Sequence, residues 1–334
     1  MMSADKAYRV LFTGPTLADE ALAMLEKRCS YRLTPPYPEP ELIATLAAEE
    51  RIDGMIVRLG QITGEVLRAS PNLRIVVKHG VGVDNIDIDA ATELGIPVCN
   101  TPNANYQSVA EHTLAMMLAL SKNLYFMDRQ TRSGVWEKLS SRSTELFRKC
   151  LGIVGVGRIG RRLAELVQPL QMVVLGYDPY VPEDRLPKNV RRVERLEELL
   201  READFVSLHC PKTPETTNMI GMNEIGMMKP TAVIINTARG GIVDESVLVR
   251  ALEEGTIGGA GVDCFATEPV PHDHSFLTIQ DRVILTPHIA GGTKEAFIRM
   301  GMEAAGILLD SLEGRKLNPD ALLNPDALVR RFGK

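Results

Sequence analysis

The sequence predicts an α/β protein of two domains, each a parallel sheet covered by helices. Three observations carry this. The chain has 334 residues, more than one small domain usually holds and comfortable for two. Its apolar runs are short and alternate with segments of helical period, the pattern of a buried parallel sheet. The alternation comes in two series, separated by a long helical stretch over 105–136.

The first series opens with the strand Tyr8–Phe12, stopped by Gly14-Pro15, and a helical pattern over Leu17–Lys27. A second helix is expected over Glu39–Glu49. Strands follow at Met55–Val57, at Leu73–Val77 before Gly80, and at Ile96–Cys99 after a short helix near Ile88–Leu94. The central stretch starts with Asn105 as a candidate N-cap. Val109, Thr113, Met116, Met117 and Leu120 follow at helical spacing, and the helix continues through Leu124–Arg132 to Gly134. With Leu124, Tyr125, Phe126 and Trp136 exposed, this segment reads either as a connector or as an arm packed on a second subunit.

In the second series strands are expected at Leu151–Val154, Val173–Tyr177, Phe205–Leu208, Val233–Asn236, Gly259–Val262 and Val283–Leu285. About six strands suit a doubly wound sheet. Helices are expected at Arg158–Val167, Leu196–Glu202, Glu245–Glu254 and Lys294–Leu312, and the tail after Gly314 is expected to run over the surface.

Composition narrows the function. Apolar residues are 45%, charged residues 24%, and the formal net charge is -5. That balance gives no basic footprint for nucleic acid or membrane. The five cysteines are widely spaced without a C-x-x-C pair, which reads as reduced thiols. The polar start Met1–Tyr8 lacks the apolar segment of a secretory signal, and no apolar run is long enough to span a bilayer. A cytoplasmic protein is expected.

The strongest motif is Leu151-Gly-Ile-Val-Gly155-Val-Gly157-Arg-Ile-Gly160. A strand precedes it and a helix follows, the context that makes G-x-G-x-x-G a dinucleotide fingerprint. Gly155 permits the tight turn, Gly157 lets the backbone approach a pyrophosphate, and Gly160 lets helix and strand pack closely. The helix N-terminus offers N–H groups to the phosphates. Asp178 ends the next strand, eighteen residues beyond Gly160, where a carboxylate accepts from the adenosine ribose hydroxyls and repels a 2′-phosphate. NAD is therefore expected over NADP. The second glycine motif, Lys78-His79-Gly80-Val81-Gly82-Val-Asp84, lacks the third glycine and the ribose acid. It reads as a strand-to-helix turn whose N–H groups hold a small anion such as a carboxylate.

Three residues stand at the ends of second-series strands: Arg239 after Val233–Ala238, Glu268 after Gly261–Thr267, and His288 after Val283–Pro287. Ligands of open parallel sheets gather at that edge. Hydride removal from a secondary alcohol needs a base for the hydroxyl proton, and histidine titrates near working pH. A carboxylate on the other ring nitrogen fixes the tautomer, and an arginine grips a substrate carboxylate in two-point fashion. His288 thus reads as acid/base, Glu268 as its orienter and Arg239 as the substrate anchor. His79, His112 and His209 read as structural. His272-Asp-His274 has the spacing of a metal pair but no third ligand, so no metal is expected.

Taken together these blocks resemble the D-isomer-specific 2-hydroxyacid dehydrogenase family. They are Gly80-Val-Gly-Val-Asp-Asn-Ile-Asp87, Asn100-Thr-Pro102 with Ser108-Val-Ala-Glu-His112, Gly152–Gly160, Asn236-Thr-Ala-Arg239-Gly-Gly-Ile-Val-Asp244, Gly261-Val-Asp263 with Glu268-Pro269, and Thr286-Pro-His288-Ile-Ala-Gly291. The resemblance covers nearly the whole chain. It implies a Rossmann NAD-binding domain over 102–293, inserted in a flavodoxin-like substrate domain of 1–101 plus 294–334. Arg239, Glu268 and His288 match the catalytic residues. Arg158, Ile159, Asp178, Cys210, Pro211, Thr237, Ala238, Asp263 and Gly291 match NAD-contacting positions, with Arg239 and His288 also beside the cofactor and Asp263 facing the nicotinamide carboxamide. Val81 and Gly82 match the loop that holds the substrate carboxylate. Members are commonly homodimers, joined through the region matching 105–136.

The resemblance is nearest the phosphoglycerate dehydrogenase and hydroxypyruvate–glyoxylate reductase branch, here without its C-terminal regulatory extension. Arg58 is a candidate contact for a substrate phosphate. The stretch Arg58-Leu-Gly-Gln-Ile-Thr63 departs from the Arg-Ser-x-Thr pattern frequent in the phosphoglycerate branch, which leaves glyoxylate, hydroxypyruvate and longer 2-keto acids open. The competing readings are a phosphite-type dehydrogenase and an NAD(H)-binding regulator of corepressor type. Glu268 speaks against the formate branch, which typically carries glutamine there.

Overall fold

The computed structural model describes residues 6–136, 138, 143–279 and 281–332. The first five residues of the polar N-terminal stretch lie outside them. The chain divides into two compact units, 1–105 with 292–334, and 106–291. The family resemblance implied breaks at 101/102 and 293/294.

The first unit begins β1 (Tyr8–Thr13), α1 (Asp19–Leu25), β2 (Cys29–Leu33), α2 (Pro40–Glu50), β3 (Gly54–Val57), α3 (Gly64–Ala69), β4 (Ile75–Lys78), α4 (Ile88–Glu93) and β5 (Val98–Cys99). The strands form one sheet in the order β2-β1-β3-β4-β5, every pair parallel. Successive side chains point to opposite faces, and the core divides accordingly. Val10, Phe12, Ile56 and Val77 pack on one face; Leu11, Met55, Val57 and Val76 pack on the other with Ile43 and Leu46 of α2. Burial on both faces is why these strands read as unbroken apolar runs. β2 and α3 escaped the pattern: β2 is an edge strand with polar residues, and α3 is a short helix capped by Thr63.

The second unit runs α5 (Tyr106–Ser121), α6 (Leu124–Arg132), β6 (Cys150–Val154), α7 (Arg158–Val167), β7 (Val173–Tyr177), β8 (Val190–Arg192), α8 (Leu196–Glu202), β9 (Phe205–Leu208), α9 (Met222–Met227), β10 (Val233–Asn236), α10 (Glu245–Glu253), β11 (Gly259–Val262) and β12 (Val283–Leu285). The central stretch is two helices, broken at Asn123 with φ +53. Asn105 precedes α5 without capping it, since its Oδ1 is buried with no hydrogen-bond partner among the described residues. The sheet has seven strands in the order β12-β11-β10-β9-β6-β7-β8, all parallel. β8 (Val190-Arg-Arg192) is the strand the apolar pattern missed, being three residues long and partly exposed at the edge. Strand order reverses between β6 and β9, which makes their carboxyl ends the ligand-binding switch point of a doubly wound sheet.

The first unit is completed by α11 (Lys294–Leu312) and α12 (Asp326–Phe332). Leu308 of α11 lies so close to β3 that a Cβ on Gly54 would stand 2.9 Å from its Cδ1. The tail departs from the surface course expected of it. Ala321 is fully buried; Asn100 N donates to Ala321 O at 3.0 Å and Leu323 N to Val98 O at 2.9 Å. Asn324 Oδ1 accepts from Val98 N at 2.7 Å. The tail thus pairs with β5 and satisfies backbone groups that the short strand leaves open. Among the described residues no helix is long and apolar enough to cross a membrane.

Candidate active site

The glycine loop fills the turn between β6 and α7, and each glycine has its own physical reason. Gly155 takes φ +94, and a Cβ there would lie 2.6 Å from Cys210 N and 2.7 Å from His209 C. At Gly160 a Cβ would meet Gly155 O at 2.4 Å and Ile153 Cγ2 at 2.9 Å, so helix and strand touch through it. A Cβ on Gly157 would have nothing within 4 Å, the open face that backbone approach by a ligand needs. Gly157 caps α7 without a side-chain hydrogen bond, which leaves the positive end of the helix available to phosphate. The chemistry of this turn therefore fits a dinucleotide.

The other cofactor positions gather at the same sheet edge. Asp178 follows β7; its Oδ2 accepts from Val156 N at 2.8 Å and its Oδ1 from Tyr180 N at 3.0 Å and Val181 N at 3.2 Å. A carboxylate has about four acceptor sites, so these bonds leave about one, on Oδ2, for a ribose hydroxyl. Arg158 is exposed at the start of α7 and Ile159 half-buried. Burial pushes the Cys210 thiol up to about 11, which keeps it protonated and unreactive. Pro211 O accepts from the Thr216 hydroxyl at 2.7 Å. Thr237 turns its hydroxyl to Thr113, 2.9 Å away, beside the buried Ala238.

Arg239, Glu268 and His288 come from the loops after β10, β11 and β12. His288 Nδ1 lies 2.8 Å from Glu268 Oε2, and Glu268 Oε1 accepts from Phe265 N at 2.9 Å. Partial burial raises the Glu268 pKa, but the bonds from His288 and the Phe265 N–H, with the charges of His288 and Arg239, outweigh it and leave the carboxyl below its ordinary value. Arg239 is held at its own turn, its Nη1 donating to Ala238 O at 2.6 Å and its carbonyl accepting from Asn236 Nδ2 at 2.8 Å. Gly240 explains how the loops meet, because a Cβ there would fall 1.9 Å from the carbonyl of Phe265. The main chain at His288 stands at φ +52, a conformation a non-glycine residue keeps only where its surroundings impose it.

That imposition comes from groups whose part sequence patterns do not reveal. Asp263, fully buried, accepts from Thr286 Oγ1 at 2.5 Å, Ile289 N at 2.9 Å and Ala290 N at 2.9 Å, while its carbonyl accepts from His288 N at 2.8 Å. Asp263 thus holds the loop that carries His288, a duty additional to the nicotinamide contact expected of it. Glu245 and His274 brace the Glu268 loop: Glu245 Oε1 accepts from Ala266 N at 2.6 Å, and Oε2 lies 3.1 Å from His274 Nε2. His274 is thus engaged by a carboxylate, while His272 is exposed. One ligating atom each of Cys264, Glu268 and His288 also lie within 4.8 Å of one another, with Cys264 buried.

In the first unit, Arg58 is half-buried with its guanidinium over the Phe297 ring, 5.0 Å from the centroid, and burial lowers its pKa. In the glycine loop after β4, Gly80 takes φ +141 and its N–H donates to Thr101 Oγ1 at 3.0 Å. α4 starts only at Ile88, so no helix N-terminus opens behind this loop; Val81 is exposed and Gly82 half-buried.

Residues 114–290 match the model of the D-isomer specific 2-hydroxyacid dehydrogenase NAD binding domain. The chain is 41% identical over 284 residues to the D-3-phosphoglycerate dehydrogenase of Mycobacterium tuberculosis, covering 85% of this chain and 53% of that protein. It is 37% identical over 328 residues to the enzyme of the same name from Methanocaldococcus jannaschii, covering 98% of this chain and 61% of that one. The chain thus spans between half and two thirds of the length of these relatives. Its structure is similar to the D-lactate dehydrogenase of Aquifex aeolicus complexed with NAD and lactic acid, with TM-score 0.82, 31% identity, and coverage of 94% of this chain and 99% of that one. The chain belongs to the D-isomer specific 2-hydroxyacid dehydrogenase family, and its second unit is the NAD-binding domain of that family.

Proposed function

We propose that this protein is an NAD-dependent dehydrogenase interconverting a small D-2-hydroxy acid and its 2-keto acid. The observation that carries the reading is the 2.8 Å contact between His288 Nδ1 and Glu268 Oε2, made beside Arg239 at the ligand edge of a dinucleotide-binding sheet. NAD supplies acceptance of hydride from C2 in one direction and its return in the other. The Gly155–Gly160 loop and Asp178 hold it, and the Asp178 carboxylate selects it over NADP by repelling a 2′-phosphate.

With Nδ1 engaged by Glu268, the Nε2 of His288 is the nitrogen that takes the hydroxyl proton in oxidation and returns it in reduction. Glu268 favours the imidazolium formed when the proton arrives. Arg239 binds the substrate carboxylate and polarises the adjoining carbonyl. Within the first unit, the N–H groups of Val81 and Gly82 are assigned to carboxylate binding and Arg58 to a substrate phosphate. The relatives' names favour phosphohydroxypyruvate, and the absence of Arg-Ser-x-Thr after Val57 favours an unphosphorylated 2-keto acid, from glyoxylate and hydroxypyruvate to longer ones.

Two further assignments accompany this reading. None of the five cysteines is joined in a disulfide, which suits a reducing cytoplasm. The segment 105–136 is assigned to a homodimer interface: α6 buries no residue, Leu124 and Tyr125 are exposed, and Trp136 is 81% exposed.

The test is NADH oxidation followed by absorbance with glyoxylate, hydroxypyruvate, phosphohydroxypyruvate, pyruvate and 2-ketoisocaproate. Turnover with one of them is expected, at a higher kcat/KM with NADH than with NADPH. NADH binding without turnover across the panel would replace the dehydrogenase reading by the regulatory one.

A further inference from the structure

Two consecutive N–H groups of the loop after β11 end on two different carboxylates. Phe265 N donates to Glu268 Oε1 at 2.9 Å, and Ala266 N donates to Glu245 Oε1 at 2.6 Å. Glu245 is the first residue of α10, whose N-terminus is pinned by Asp244: its Oδ1 accepts from Ser246 N at 3.0 Å and Val247 N at 3.2 Å. The second oxygen of Glu245 is met by His274 Nε2 at 3.1 Å. His274 Nδ1 accepts from Phe276 N at 3.3 Å, so Nε2 carries the proton and donates to the carboxylate. The His274 ring stacks on Phe276 at 5.1 Å and meets the edge of Phe265 at 6.4 Å, and Phe276 is fully buried. Both partners are themselves largely buried, the Glu245 side chain 14% and the His274 side chain 20% exposed.

We propose that Glu245 and His274 are positioning residues of the triad, fixing the Phe265–Ala266 backbone so that Glu268 presents its carboxylate to His288. The inference rests on the functional reading above. The chain of contacts runs from a buried aromatic ring to the acid/base pair: Phe276, His274, Glu245, the 265–266 backbone, Glu268, His288. Such support sets geometry, and a site loosened by a fraction of an ångström loses rate without losing its residues. The groups facing Glu268 are His288 and Arg239, with the Cys264 thiol close by.

The test uses the full chain and two readouts. The first is the pH profile of kcat/KM for keto-acid reduction. Glu245→Ala is expected to lower kcat by about tenfold with KM for NADH unchanged. It should also move the acid limb to higher pH, because a looser Phe265 N–H stabilises the Glu268 carboxylate less and its pKa rises. Glu245→Gln keeps an oxygen for Ala266 N and should recover most of the loss. His274→Phe keeps the stack on Phe276 but not the N–H and should fall between them. Leu248→Ala, buried on the same helix, should lower Tm and leave the acid limb in place. The second readout is amide hydrogen exchange over 264–269, which needs no turnover and should accelerate in Glu245→Ala. Unchanged exchange there overturns the proposal even if the wild-type protein proves inactive on every keto acid, an outcome that instead sinks the functional reading. An acid limb moved as far by Leu248→Ala as by Glu245→Ala would reduce the pair to ordinary structural support and also overturn it.

Discussion

His79 and His288 both stand just past the carboxyl end of a parallel strand and have opposite surroundings. His79 follows β4 directly, and His288 comes three residues after β12. His79 is 4% exposed, set between Phe12 at 6.0 Å and Phe297 at 5.3 Å, with its Nε2 unpartnered among the described residues. Burial, and after it the charge of Arg58, pushes its pKa down to about 4. His288 is exposed and has Glu268 on its Nδ1. A histidine past a strand end is thus no signal by itself. The distinguishing feature is a carboxylate delivered by the neighbouring loop and held there by other groups. Without it a buried imidazole stays neutral through the pH range in which it would have to trade protons.

The largest effect that tests this contrast is expected at His288. His288→Ala should lower kcat by roughly 10²–10⁴-fold, the range of general acid–base catalysis, while leaving NADH affinity as in the wild type by fluorescence titration. Near-normal turnover would remove His288 from the mechanism. Glu268→Gln keeps an acceptor for Nδ1 but removes the charge, so kcat should fall less, by about tenfold. The acid limb that Glu268 gives the pH profile should disappear with it; a limb persisting unchanged would belong to another group. Asp178→Ala bears on the cofactor alone: the ratio of kcat/KM with NADH to that with NADPH should drop by about tenfold, and an unchanged ratio would count against the ribose contact.

What the sequence makes legible follows from how local each cause is. Gly155, Gly157 and Gly160 are readable because their spacing lies within one strand–turn–helix unit, although the backbone that crowds Gly155, at His209 and Cys210, comes from the loop after β9. Arg239, Glu268 and His288 are readable as residues at strand tips, but their proximity depends on Gly240 meeting the Phe265 carbonyl at a distance no side chain permits. Asp263, Glu245 and His274 act by accepting or relaying backbone hydrogen bonds, and such bonds impose no spacing that a pattern could reveal. The His272-Asp-His274 spacing says nothing of this role, because nothing near it in sequence announces Glu245. The same logic separates the strands: β10 and β11 are buried on both faces and show as apolar runs, whereas the edge strands β2 and β8 carry Tyr31, Arg32, Arg191 and Arg192. The tail is polar enough to read as surface, yet Asn324 is buried because Val98 N needs its oxygen.

The smallest effect on turnover is expected at His79, where the contrast with His288 appears in stability instead. A base with its folded pKa depressed from 6.5 to about 4 favours folding fully above the ordinary histidine value. That contribution is lost as pH falls from 6.5 toward 4, because in this window the unfolded chain binds more protons. At 1.36 kcal/mol per unit the loss reaches about 3 kcal/mol by pH 4 and about 2 kcal/mol by pH 5. His209 in the other unit, lowered by burial to about 3, adds a loss of the same sign. Glu268 acts at still lower pH, since its depressed carboxyl sheds stability only below the ordinary glutamate range. His79→Phe preserves an aromatic ring among Phe12 and Phe297 but cannot take up a proton. Its larger ring shifts stability at any one pH by a packing effect, so the informative quantity is the difference in unfolding free energy between pH 7 and pH 5. Denaturant titration should show that difference reduced by about 2 kcal/mol relative to the wild type, with kcat within about threefold. If the pH dependence is unchanged, His79 is not a buried neutral imidazole. If kcat falls as it does in His288→Ala, then the two histidines are not the contrasting pair that their surroundings make them.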